Sequence, residues 1–521
     1  MNISTPIKHT LVLSLALSSA LYAAPQVPDS GNVMIKIQTE NKLSKEMPKV
    51  IEQSGINVIA RVLIDSATIV DAPRLDAKVV KTLHKNDKLT LNGIEKDGYY
   101  EVQEGGYIDK HSVEILSKVS SVSLSKKGNV RIKDALIEKT FAHYTQDGIT
   151  AQSTDSALTA IKTLGAVDAA VFLKRNGDNY DATLGLVEGK PFSAYIGEDN
   201  YGDHTTGVYR TTLGGALNDI MGYGEKVSAT VVATGHDLVM GSLQASLPIS
   251  NDASTVYAGV SRLHYALGDV FASIDATGSS TSGWLGYNKP LWLSYRGSFI
   301  YDLKVARTAM VDKIDAFSLT TNRKTTTMDN ALSFMKQDAF MGGGTNGAYV
   351  DLKLGKLDDD SATDPYNKVG HYAKVNVELQ RVQNLGTFTG IALIKGQKAF
   401  DNLDSSEKFN LTGVNAVGGY YTGDIVGDEG IIGSLEIDHA IPVVANLSGG
   451  VIYTNGAVKT LHTPIDGSAN IQRASSAGFK LSYLAPYDIF ATLGAYKRIT
   501  GESVNNYDNP YHVLFNIAKK F

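Results

Sequence analysis

The chain of 521 residues contains no cysteine. That absence excludes disulfides, thiolate catalysis and zinc–cysteine sites together, and it suits a polypeptide that crosses an oxidising compartment unfolded. Tryptophan is nearly missing, with 2 residues, and no run of about 20 apolar residues occurs, so no helical membrane span is on offer. There is no His-Glu-x-x-His, no Gly-x-Ser-x-Gly elbow and no P-loop. The 11 His are scattered, and Ser123 with Lys126 forms an isolated Ser-x-x-Lys on an expected strand. The chain therefore reads as a non-enzyme without metal or cofactor. Its net charge of −5 argues against a nucleic-acid partner.

What is present is glycine and tyrosine, 50 and 26 residues, a composition of strands and turns. The last strand shows the pattern best. Tyr511, Val513, Phe515, Ile517 and the terminal Phe521 face one way, and His512, Asn516 and Lys520 the other. A transmembrane strand needs such a row, because one face meets hydrocarbon and the other water. A soluble sandwich strand alternates in the same way. At the other end Lys8 precedes the apolar run Leu11 to Leu17, followed by Ala20, Ala23 and Ala24. Residues 1–24 thus read as a cleaved secretory signal, with a retained anchor as the alternative. In a membrane, an exported chain without a helical span must close into a barrel to satisfy its backbone.

Residues 25–57 read as a linker or a fragment of a further fold like that of residues 118–190, with a short helix over 42–54 interrupted by Pro48 as the alternative; the family resemblance given below implies that such a helix can plug the pore. Within 58–117, short alternating segments at Ala67 to Val70, Val79 to Leu83, Lys88 to Leu91, Tyr99 to Val102 and Tyr107 with Ile108 predict five strands. The stretches Lys85 to Leu89, Gly98 to Val102 and Gly106 to Asp109 resemble the bacterial SH3-like domain, with Asn86 replacing a turn Gly and Tyr99 a Trp. The resemblance implies either a spacer or a ligand of cell-wall peptide, hence peptidoglycan as a possible partner.

Residues 118–190 predict strand, helix, helix, strand, strand. Leu136, Ile137, Thr140, Phe141 and Tyr144 share one helical face; Ala157, Leu158, Ile161 and Leu164 make a second stripe after a cap at Thr154. Ala169 to Lys174 and Tyr180 to Val187 alternate around an Asn176-Gly177-Asp178-Asn179 turn. This order resembles a POTRA domain. The resemblance implies capture of an extended client by strand addition, with Phe141, Tyr144, Val171, Leu173, Tyr180 and Leu184 as client-binding side chains.

From residue 191 alternating segments run to the end, as in Val227, Ala229 and Val231 outward against Ser228 and Thr230 inward. Residues 191–521 accommodate about 16 strands at about 10 residues each plus connections. Polar stretches at 313–340 and 358–369 read as loops or strand extensions. Asp358, Asp359, Asp360 and Asp364 read as a solvated acidic loop before a calcium site.

The segment from Asp199 to Arg210, with Asp199, Asn200, Gly202, Thr206 and Gly207, followed by Asn218, Gly222 and Gly224, resembles the first hairpin of two-partner secretion transporters of the hemolysin secretion and activation type. Further stretches match that family in order: Gln244 to Pro248, Tyr257 to Val260, Tyr265 to Gly268, Lys289 to Leu291, Gly342 to Asn346, Ala477 to Tyr483 and Ala491 to Arg498. The family's pore loop carries Val-Arg-Gly-Tyr, and here Val417-Gly418-Gly419-Tyr420 stands in its place. The inner-wall partner, Phe-x-Asp-x-Gly, becomes Ile452-Tyr453-Thr454-Asn455-Gly456. Arginine and acid are both gone, which is gentler than losing one, since a lone charge in a narrow lumen stays poorly solvated. The expectation is a loop held by neutral contacts among Tyr420, Thr454 and Asn455.

The resemblance implies a mainly β protein: a 16-stranded antiparallel outer-membrane barrel carrying periplasmic SH3-like and POTRA modules. It would export a TpsA-like, β-rich exoprotein (adhesin- or hemolysin-like), sit in outer-membrane lipid and be inserted by the barrel assembly machinery. The alternatives are a barrel assembly factor and a non-secreting porin or receptor barrel anchored to the cell wall.

Overall fold

The computed structural model describes residues 57–521 except 166, 236–237, 362–363, 466–469 and 502–508. The expected signal and the 25–56 segment lie outside the described residues.

The first module is a seven-stranded sheet rather than the five strands expected. Its strands are β1 (Val58–Val62), β2 (Ser66–Val70), β3 (Val79–His84), β4 (Lys88–Lys96), β5 (Tyr99–Val102), β6 (Tyr107–Asp109) and β7 (Val113–Ile115), in the order β3-β2-β6-β5-β4-β1-β7. The two additions flank the expected five. Val58, Ala60 and Val62 on β1 alternate into the core, and β1 joins β4 to β7; at the margins of the module such short runs carry little signal.

The second module is β8 (Val119–Lys127), α1 (Asp134–Thr145), α2 (Ala151–Thr163), β9 (Val167–Asn176) and β10 (Asn179–Glu188), the expected order. Its sheet runs β8-β10-β9, with β8 parallel and β9 antiparallel to β10. The cap of α2 is Thr150, not Thr154. Thr150 is extended, its Oγ accepts from the Ser153 N–H at 3.0 Å and Ser153 Oγ accepts in return from the Thr150 N–H at 2.9 Å, a capping box built with serine in place of the usual Glu or Gln. Thr154 lies inside the helix and is buried. The two modules share one apolar core and are joined by Ile149 N–H to Ser117 O and by the Tyr180 hydroxyl to Asn57 O.

The remaining residues close into a barrel of sixteen antiparallel strands. These are β11 (Phe192–Asp199), β12 (Arg210–Asn218), β13 (Lys226–Thr234), β14 (Val239–Pro248), β15 (Thr255–Ala266), β16 (Ala276–Ser294), β17 (Gly297–Ile314), β18 (Leu319–Asp338), β19 (Gly344–Asp359), β20 (Gly370–Leu385) and β21 (Phe388–Ala399), then, after a loop holding the short β22 (Phe409–Asn410) and β23 (Val426–Gly427), β24 (Glu429–Ala440), β25 (Leu447–Lys459), β26 (Ile471–Ala485), β27 (Ile489–Thr500) and β28 (Tyr511–Lys520). The final strand closes the cylinder by pairing with β11, Tyr195 opposite Lys520 through Asp199 opposite Asn516, and Phe521 N–H bonds Ala194 O.

The wall is uneven. Strands β16 to β20 have 16–20 residues, whereas about 9–11 suffice to cross a bilayer. On β18 the outward row reads Met328, Leu332 and Phe334 in one half and Thr320, Asn322, Lys324 and Thr326 in the other, all exposed. The apolar half is therefore the lipid belt and the polar half an extension beyond it. This resolves the 313–340 stretch: it is mostly strand, and its polarity marks height above the belt.

The helical module seats on the mouth at the start of β11, the proximal mouth, through three barrel turns. Arg131 Nε donates to Asp219 O and Lys133 N–H to Gly222 O, with the Lys133 ammonium 3.3 Å above the Tyr223 ring. The Tyr144 hydroxyl donates to Asp252 O at 2.9 Å, and burial, aided by the Asp252 charge, pushes its pKa up to about 12. Asp155 accepts from Ser294 Oγ and Tyr295 N–H, while Ser156 Oγ donates to Leu293 O.

Candidate functional site: a loop across the lumen

The connection from β21 to β24 leaves the distal rim and folds back between the strands. Its root is a 3-10 turn, Ser405–Glu407, capped by Asp404, which accepts from Ser406 N–H. Asp404 is 2% exposed and receives two bonds from Arg323 Nη1 on β18, at 2.7 and 2.6 Å, and one from Lys368 at 3.1 Å. Arg323 Nη2 also bonds Asp312 of β17, which accepts from the Tyr265 hydroxyl of β15 at 2.8 Å. One turn on, Glu407 contacts Lys374 of β20 at 2.8 Å and Lys353 of β19 at 3.4 Å. Burial alone would push both carboxyls up, but Arg323 with Lys368, and Lys353 with Lys374, outweigh it and hold them well below the usual carboxylate range.

The loop then crosses the lumen. Leu411, Val417, Tyr420 and Ile425 pack with wall residues Ile432, Val458 and Ala474, and β22 pairs with β23. On the far side Tyr420, 2% exposed, gives its hydroxyl to the carbonyls of Thr500 and Gly501. Its own carbonyl lies 3.2 Å from His512 Nδ1 of β28, and Arg498 of β27 stacks over its ring at 5.5 Å.

The neutral anchor expected of the tip is present in Tyr420 but meets a different wall. Of the segment 453–456, Gly456 touches the loop, where an added Cβ would lie 2.6 Å from Leu411. Thr454 shares a hydrogen bond with Ser434 on the neighbouring strand; Tyr453 and Asn455 are exposed on the outer face, bonded to each other. Period-2 alternation alone forbids four consecutive residues from all facing the lumen. The missing arginine has a steric reason as well: a Cβ on Gly418 would sit 2.6 Å from the Tyr496 ring. Val417 is fully buried, and Gly419 has φ +87° against the Arg498 backbone.

The barrel-opening residues converge on the same place. Asp199 pairs with Arg210 through two bonds of 2.8 and 3.2 Å and accepts from Tyr201 N–H. Asn200 bridges to β28, donating to Val513 O and accepting from Phe515 N–H. Gly202 leaves no room for a side chain, with an added Cβ 2.0 Å from Gly207 O; Gly207 has φ +104°, and the buried Thr206 carbonyl accepts from Thr234 Oγ1 at 2.6 Å. This first distal loop touches the crossing loop through Thr422 Oγ1 to Tyr201 O, 3.3 Å, and through His204 edge-on to Tyr421, 4.1 Å between rings.

The six side chains expected to bind a client are placed differently. Phe141, Val171, Tyr180 and Leu184 are buried, Leu173 packs on the core, and Tyr144 is tied to a barrel turn. Alternating apolar positions mark a core, so they cannot mark a surface that works through its main chain. The outer edge of β9 has no neighbouring strand among the described residues.

Sequence reasoning missed Asp404, Glu407, Arg323, Lys353, Lys368 and Lys374 altogether. An acid pair three residues apart in a polar loop was the one available signal.

Comparison with known proteins agrees with the architecture. The family model "Haemolysin secretion/activation protein ShlB/FhaC/HecB" matches residues 181–481, more than half of the chain. The heme/hemopexin transporter protein HuxB of Haemophilus influenzae strain 86-028NP is 25% identical over 330 residues, covering 58% of this chain and 56% of that protein, so little more than half of the relative's length is matched. Among solved structures, CdiB from Escherichia coli aligns with a TM-score of 0.65 at 14% identity, over 80% of this chain and 78% of that one. CdiB from Acinetobacter baumannii aligns at 0.62 and 15% identity, over 100% and 88%. At those identities the structures establish the fold alone. The match over residues 181–481 establishes kinship: the chain belongs to the haemolysin secretion/activation family.

Proposed function

We propose that this protein exports one large β-rich exoprotein through its barrel in the outer membrane, with the β1–β10 modules in the periplasm. The observation that carries the reading is the lumen: a closed barrel, polar inside, crossed near its distal rim by a loop whose wall contacts are side-chain bonds and packing rather than strand pairing. Below the loop the lining is ionic, with pairs such as Lys395–Glu378 at 3.1 Å and Lys304–Asp329 at 3.2 Å, a surface for water and an extended peptide rather than a packed core. A client arriving unfolded adds a strand to the open edge of β9, whose main chain reads extension more than sequence. Folding outside supplies direction, with no role for a cofactor. The β1–β7 sheet, fused to the helical module through a common core, acts as a rigid spacer toward the cell wall. Deleting the gene and comparing surface and medium proteins tests the reading: one large polypeptide disappears and returns with the gene restored. An unchanged set of exported proteins would refute it.

A further inference from the structure

We propose that Asp404 and Glu407 form a releasable ionic clasp that keeps the crossing loop shut. The inference rests on the secretion reading, in which this loop must move. Both carboxylates stand on the loop, and the cations that receive them stand on the tall side of the barrel, Arg323 on β18, Lys353 on β19 and Lys374 on β20, with Lys368 in the connection between β19 and β20.

The clasp can open because each cation has a second partner that stays behind. Arg323 keeps Asp312, Lys353 keeps Asp329 at 3.5 Å, Lys374 keeps Gln397 Oε1 at 3.2 Å, and Lys368 keeps Asp359 at 3.1 Å. Stranding a buried charge is strongly unfavourable; departure of the loop leaves Arg323, Lys353 and Lys368 each with a carboxylate, and Lys374 with the neutral Gln397 and the nearby Asp351 charge of β19, while the two loop carboxylates pass into water. A further ion pair near the root, Lys408 with Asp428, is tied to the β25–β26 connection, Lys408 Nζ donating to Thr460 O and Asp428 accepting from His462 N–H, each at 2.8 Å, and marks the fixed end of the loop. A contact meant only for stability needs no such second partners. The 3-10 turn places positions three apart on one face, so both carboxylates engage and disengage together.

Planar-bilayer conductance of the full-length protein tests the proposal. The variant Asp404→Asn/Glu407→Gln should open more often by on the order of tenfold, within the usual range of coupling between linked conformations. Parent-like opening in the neutral variant, with heat-dependent electrophoretic mobility showing a folded barrel, overturns the clasp. If that variant does not fold, Lys368→Gln weakens the hold on Asp404 from a side chain 20% exposed; raised opening there supports the clasp and unchanged opening overturns it. The conductance reading needs no exported partner. A parent that exports nothing while the neutral variant opens removes the secretion reading alone; normal export with unaltered conductance removes the clasp alone.

Discussion

The root and the tip of one loop are held by opposite means. At the root, buried carboxylates meet cations that already have partners; at the tip, a tyrosine fills a slot and bonds backbone carbonyls. The difference teaches how a lumen can be closed reversibly without a lone charge. The tip contributes mainly shape, with His512 and Arg498 beside Tyr420, and the root contributes a charge contact that can be released.

The comparison can be broken most severely at the tip. Tyr420→Ala removes a fully packed ring, a change that costs about 3–5 kcal/mol in a buried site, and it should leave the loop mobile even with the root intact, seen as frequent opening in bilayers. Gly418→Arg comes next. The Tyr496 ring occupies the space, and overpacking costs about 1–3 kcal/mol; conductance should rise, and adding Thr454→Asp should not reverse it, because position 418 abuts Tyr496 of β27 while Thr454 is bonded to Ser434 of β24. Reversal by the double variant would restore the arginine–acid pairing as the relevant contact. The smallest effect is acid. The carboxyls of Asp404 and Glu407 are held below their ordinary values of about 4, so their stabilisation is complete above that value and is lost as pH falls through the depressed one. Root-dependent opening should be flat from pH about 5 to 8 and rise only below about 4; a rise near neutrality would point to another group.

Much of the barrel was legible because alternation is imposed by hydrocarbon. Val227 to Val231 and Tyr511 to Lys520 read correctly for that reason. Where β17 to β19 climb beyond the belt, both faces are polar and the signal fades, so residues 313–340 could be read as loop or as strand extension. Asp199, Asn200, Gly202 and Gly207 were legible as a turn whose geometry leaves few residue choices. The clasp was not, since Arg323 and Asp404 are 81 positions apart and each is an ordinary charged residue in its own segment. The inner-wall segment was half legible: motif alignment found the right strand, and the pleat then turned Tyr453 and Asn455 toward lipid.

Strands of 16–20 residues on one flank raise that part of the rim by roughly 15–25 Å, at about 3.3 Å per surplus residue along strands tilted by about 35–45°. Whatever leaves this pore emerges beside a half-chimney, sheltered behind and open in front. Its first freedom to turn, collapse or meet another molecule is therefore sideways, over the low parapet where the two ends of the barrel sequence join.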